Sequence, residues 1–187
     1  MDAFSYLSVL FSIILGLAIT QLLQGLGRLL QERRRVRMYW PVIAWVAILL
    51  AVAVQTWWAM FGLRNYQTWS FGGFAVVLFH ITLIFLLTAL VLPDFSAPGE
   101  IDLRANYFGH ARWFFGIAAI VTVASLLKDV VLNGALPNRT NTGFHAIFFA
   151  VSAAAASVLR DGFHKFIAVG MSVLFAAYIL TLFTRLQ

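Results

Sequence analysis

A few polar side chains interrupt otherwise apolar stretches of this 187-residue chain. His80 lies between Phe79 and Ile81 near the centre of the run FGGFAVVLFHITLIFLLTALV, with Thr82 two residues on. An ionisable group inside such a run is expensive to bury, which marks it as a candidate site; because imidazole changes charge near neutral pH, it would suit a proton relay or a cation-coupled step. Gln55, Asp129 and His145 each fall toward one end of their own runs, and together they form a candidate polar site at one surface. Lys128 adjoins Asp129, but adjacent helical residues point about 100° apart, so Lys128 is expected to snorkel to the headgroups instead of facing its neighbour. Gln21 and Gln24 fall near the other end of the first run. An unpaired buried amide costs roughly 1–3 kcal/mol, so both are expected to face protein or water, as interhelical partners or as the lining of an inner vestibule. Read together, these groups occur at three depths and predict a path on which an ion or small polar solute exchanges its hydration shell in stages.

Composition fixes the elements that must position them. Hydrophobic residues make up 62% of the chain and charged residues 11%, whereas a soluble domain carries about 25% charged residues. The expected fold is therefore all-α, one polytopic membrane domain. Six apolar runs emerge, at about 5–30, 40–62, 70–92, 109–132, 143–159 and 163–184. Each is close to the roughly 20 helical residues that one bilayer crossing needs. QERRRVR, LRNYQT, a long segment at 93–112 containing Pro93, Pro98 and Gly99, NGALPNRTNTG and RDGFHK separate them. The first run has no basic region or small-residue cleavage site before it, so it is expected to be a retained helix.

Orientation follows from Lys and Arg. Placing the first, third and fifth connections in the cytoplasm puts Arg28, Arg33, Arg34, Arg35, Arg37, Arg104, Arg112, Arg160 and Lys165 inside, nine of thirteen. Arg64, Lys128, Arg139 and Arg185 fall outside, as do both termini, including Asp2. The expected location is the cell membrane, multi-pass. Tyr39, Trp40, Tyr107 and Trp113 would then mark the inner interface, and Tyr6, Trp57, Trp58, Tyr66 and Trp69 the outer one. The basic cluster Arg33, Arg34, Arg35, Arg37 sets topology and can attract anionic lipid. Nucleic acid is not an expected partner, since these charges are confined to the membrane surface.

Ser8, Ser12, Gly16 and Thr20 recur every fourth residue along the first run and continue into Gln24 and Arg28. Small residues at this spacing form a ridge that lets two membrane helices approach closely, so helix one is expected to pack through it. Related ridges run through Ala47, Ala51, Gln55 and Ala59, and through His164, Ala168, Ser172 and Ala176. Such seams also fit a second class of function, an accessory or scaffold subunit recognising another membrane protein. A homo-oligomer is expected because so short a chain can barely enclose a central path. Comparison of LAITQLLQGLGRLL with IVTVASLLKDVVLN suggests a weak 3+3 inverted repeat.

Enzymatic chemistry has the least support. The chain has no cysteine, which removes disulfide and thiolate chemistry. GMS at 170–172 resembles part of an intramembrane serine protease motif, but Val173 stands where a glycine is needed and no histidine follows Ser172. His80 and His145 sit at different depths, poorly matched as ligands of one haem. No HExxH or phosphate-binding glycine loop occurs. No enzyme activity, cofactor or metal is expected.

Overall fold

The computed structural model describes residues 3–66, 68–96 and 99–183; Asp2, Pro98 and Arg185, used in the sequence reading, lie outside them. Six helices account for most of the described chain: α1 (Ala3–Gln31), α2 (Trp40–Ala59), α3 (Phe71–Val91), α4 (Leu103–Asn133), α5 (Arg139–Ser157) and α6 (Asp161–Leu182). All but α5 are long and apolar enough to cross a membrane. Six such spans are expected from the sequence; α5 is less apolar, because its first two turns carry Arg139, Thr140, Asn141, Thr142 and His145. A 3-10 segment, Met60–Asn65, extends α2.

Caps explain where the helices begin. Asp102 Oδ1 accepts from the backbone N–H of Arg104 at 2.8 Å and of Ala105 at 3.0 Å, starting α4 at Leu103 instead of 109. Asn138 accepts from Asn141 N at 2.8 Å and starts α5 at Arg139 instead of 143. Both side chains satisfy amide groups that a first helical turn leaves without partners. Gly134, in the left-handed region at φ 69°, ends α4.

Five helices close into a ring. α3 packs against α2 and α4, α5 against α4 and α6, and α6 against α2. α1 stands outside it, against α2 and α3. The two helices that an inverted repeat would make equivalent, α1 and α4, thus occupy unlike places. The ring also closes within one chain, so enclosing a central space requires no second copy.

The stripe that α1 buries is Phe11, Leu15, Ala18, Leu22 and Leu29. Ser12, Gly16 and Thr20 are exposed and Ser8 is half-buried, its hydroxyl donating to Ser5 O at 3.1 Å. The expected packing of α1 through its small-residue ridge is therefore corrected: bulkier apolar side chains fill the groove between α2 and α3, and the ridge turns outward. Close approach instead uses Gly25 on α1, packed against the Leu92 side chain, and Gly73 on α3, where a Cβ would lie 3.1 Å from Leu132 Cδ2 of α4.

The first, third and fifth connections meet at one end of the bundle. Val36–Arg37 (β1) pairs in parallel with Ile101–Asp102 (β2), a pairing too short to be legible in the sequence. Asp161 accepts from the Tyr39 hydroxyl at 3.0 Å and Arg104 Nε at 3.0 Å, and pairs with Lys165 Nζ at 2.7 Å. Burial, then the bond to Asp161, push the Tyr39 phenol well above its ordinary range. Tyr39 and Tyr107 are buried here, which corrects their reading as interfacial anchors; Trp40 and Trp113, like Tyr6 and Trp57 at the other end, are exposed.

Candidate functional site

The helix ring lines a partly open cavity of about 420 Å³, within the size range of small-molecule sites. Its lining is graded. The end remote from the arginine cluster is polar, with Gln55 from α2, Ser125, Lys128, Asp129 and Asn133 from α4, and Asn141 and His145 from α5. The other end is apolar, lined by Trp45, Leu49, Leu87, Phe114 and Met171. Helical spacing produces the polar half. Thr122, Ser125, Asp129 and Asn133 follow one another at three or four residues along α4, as do Asn141, His145, Phe148 and Ser152 along α5. Each set therefore lies on one face of its helix.

The two cavity histidines differ in how their nitrogens are used. His145 Nδ1 lies 2.9 Å from Asn141 O, which can only accept, so Nδ1 carries the proton. Nε2 then accepts from Ser125 Oγ at 3.1 Å. Both nitrogens of His145 are thus committed, and the ring is fixed against α4. His80 is only 6% exposed and lines the same cavity, yet makes no hydrogen bond among the described residues. Its ring nitrogens are not among the buried polar atoms left without a partner, so they open on the cavity, where water or a ligand can meet them. Asn141 Oδ1, at the polar end, has no hydrogen-bond partner.

Lys128 Nζ lies 3.6 Å from Asp129 Oδ1, and both side chains are one-fifth exposed. This corrects the expectation that Lys128 turns to headgroups. Its flexible stem bends back past the 100° offset, because the cavity offers both charges a shared polar space. The mouth thereby presents a cation and an anion side by side.

Behind the apolar end, Trp45 belongs to a hydrogen-bonded aromatic cluster. Trp45 Nε1 donates to the Tyr107 hydroxyl at 3.2 Å, and that hydroxyl lies 2.8 Å from His164 Nδ1. His164 Nε2 lies 2.9 Å from Val158 O, so it carries the proton and Nδ1 accepts from Tyr107. Phe115 packs edge-on to Trp45 at 5.2 Å. His164 is fully buried, and the sequence reading placed it only on a packing ridge.

The structure thus brings His80, Gln55, Asp129 and His145 together around one space. It does not bring Thr82, Gln21 or Gln24 there. Thr82 donates to Leu78 O at 2.8 Å within α3. Gln21 and Gln24 lie on the exposed side of α1, outside the ring. The expected inner vestibule is therefore corrected, and the polar groups occupy one end of the bundle instead of its whole length. Sequence reasoning also missed Thr56, Ser125, Asn133, Asn141 and Tyr178. The helical recurrence of polar residues on α4 and α5 is the signal that could have found three of these neighbours, Ser125, Asn133 and Asn141. Among the described residues no group of three or more potential metal ligands occurs. No known protein family, curated protein or solved structure matches the chain.

Proposed function

We propose that this helical membrane protein binds a small solute in its ring cavity as the loading site of a transporter. The observation that supports this most directly is His80, almost wholly buried, facing the cavity and without a partner. A ligand or water must supply its hydrogen bonds, and a purely structural histidine would have been paired within the chain, as His164 and His145 are. The aromatic cluster behind the apolar end favours a transporter over a continuously open channel. By the distribution of Lys and Arg, the basic end faces the cytoplasm, both termini and the cavity mouth face outward, and the location is the cell membrane. α5 then completes a sixth crossing inside the ring wall, its polar face satisfied by the cavity. The basic end meets anionic headgroups.

The chain has no native cysteine, so single cysteines report cleanly. In sealed proteoliposomes, Ser125→Cys should react with a charged methanethiosulfonate reagent while lipid-facing Val123→Cys does not. Arg34→Cys and Asn138→Cys should be reached from opposite sides. Reagent exclusion from position 125 in a folded protein would overturn the solvated site. Flux of ions, protons and small metabolites no faster than in protein-free vesicles, and unchanged by His80→Ala, would overturn transport.

A second reading is favoured by the outward ridge on α1. Ser12, Gly16 and Thr20 are exposed, and a Cβ at Gly16 meets nothing within 4 Å in the chain. Such a ridge suits another membrane helix, from a second copy or from a distinct protein for which this chain is an accessory subunit. Copurification of a partner from mild detergent, lost on Gly16→Leu, would support it.

A further inference from the structure

The shape and grading of the cavity carry a statement about its occupant, which rests on the reading that the cavity takes up a ligand. Its lining runs along α4 from Phe114 to Asn133 and along α2 and its 3-10 extension from Trp45 to Gly62. At a rise of 1.5 Å per residue these stretches are about 28 Å and about 26 Å long. A round cavity of about 420 Å³ would measure only about a third of that length across. The space is consequently long and narrow.

Its two halves ask for different chemistry. The inner half offers Trp45, Leu49, Leu87, Phe114 and Met171, with no charged group. Aromatic faces and a thioether suit a slender or flat apolar tail. The outer half offers Lys128 and Asp129, 3.6 Å apart. A ligand with a single charge would meet its own sign there as well as the opposite one. A ligand carrying both charges would satisfy both side chains and bring no net charge into a low-dielectric space. Between the halves, His80 remains available to bond the ligand, whereas His145 is already committed to Asn141 and Ser125.

We infer that the cavity takes a slender zwitterionic amphiphile, tail first, with its apolar end between Trp45 and Phe114 and its charged end toward Lys128 and Asp129. An α-amino acid with an unbranched apolar side chain is the simplest molecule of that class. The probe is L-2-aminodecanoate, compared with decanoate, decylamine and L-alanine, each of which lacks one of the three features. Two single-cysteine proteins in proteoliposomes report occupancy by protection from a small methanethiosulfonate reagent. Ala118→Cys reads the inner half and Ser125→Cys the outer.

At a concentration about ten times its Kd, L-2-aminodecanoate should slow modification at 118 about tenfold, whereas the three analogues at that concentration slow it less than about threefold. Equal protection by decanoate or decylamine would overturn the zwitterion. Equal protection by L-alanine would overturn the tail. Reaction at 125 with none at 118 would overturn the elongated cavity. Reaction at both positions with no protection by L-2-aminodecanoate would overturn the occupant class and leave the solvated cavity standing. Failure of both cysteines to react in a folded protein would instead overturn the binding site itself, so the two failures are distinguishable.

Discussion

Tyr107 on α4 and His164 on α6 are joined by a hydrogen bond of 2.8 Å inside the protein, and the Trp45 indole of α2 completes the link at 3.2 Å. One phenol therefore ties three of the five ring helices, donating to an imidazole and accepting from an indole. All three residues are at least 94% buried, with exposures of 6%, 0% and 4%.

Tyr107→Phe keeps the ring shape and removes both bonds. The indole N–H and His164 Nδ1 would be left without partners at a cost of about 1–3 kcal/mol each where water cannot reach them. Unfolding in mild detergent, followed by tryptophan fluorescence, should show a lower midpoint. An unchanged midpoint would mean that the phenol does not tie the helices energetically.

Gly16 and Gly73 should respond oppositely to enlargement. Gly16→Leu meets open space within the chain and should leave stability unchanged to within about 0.5 kcal/mol. Gly73 is buried against Leu132, 3.1 Å from where a Cβ would stand, so Gly73→Leu should cost about 1–3 kcal/mol by overpacking. Thermal unfolding of the two variants side by side checks this. A reversed order would contradict the outward placement of the α1 ridge.

Those two glycines also show what was legible in the sequence. The spacing of Ser8, Ser12, Gly16 and Thr20 is plain, but spacing alone does not say which face a neighbour covers. Phe11, Leu15 and Leu22 supply more buried apolar surface, so they win the groove. The apolar cores of the helices were readable because hydropathy reports them directly. The early starts of α4 and α5 were not, since ANYFGHAR and TNTG look like loop until Asp102 and Asn138 are seen as caps. His80, Gln55, Asp129 and His145 were identifiable as costly groups. That they share a cavity, while Gln21 and Gln24 face away from it, depends on α6 closing against α2, a long-range contact that no local pattern encodes.

Acid should weaken the start of α4. The backbone N–H of Ala105 is the largest influence holding the Asp102 carboxyl below the usual carboxylate range, with Arg104 N–H and the Arg37 charge adding to it. A carboxyl with a lowered pKa in the folded state stabilises fully above its unfolded pKa of about 3.9, and that contribution disappears as pH falls through the folded value. Hydrogen exchange of Arg104 and Ala105 amides, referenced to the intrinsic rate at each pH, should lose protection over that window. Asp102→Asn should keep the cap and abolish the dependence.

Asp161→Asn should loosen the basic end selectively. The carboxylate gathers Tyr39, Arg104 and Lys165 from three different segments. Its neutral amide cannot pair with the two cations and offers only one acceptor oxygen. Faster hydrogen exchange or proteolysis at residues 32–39 and 158–165, several-fold over the parent, is the expected outcome. Protection at the cavity mouth should not change. Loss of protection there as well would mean that the two ends unfold as one cooperative unit.

The aromatic cluster behind the cavity has a kinetic consequence. A recess sealed at one end equilibrates with a single compartment, so its occupancy follows the concentration on that side alone. In the transporter proposed above, net movement to the other side would require the Trp45, Tyr107 and His164 bonds to part and re-form once per cycle. Such a cycle saturates when opening becomes the slow step, whereas flow through a permanent pore keeps rising with the gradient.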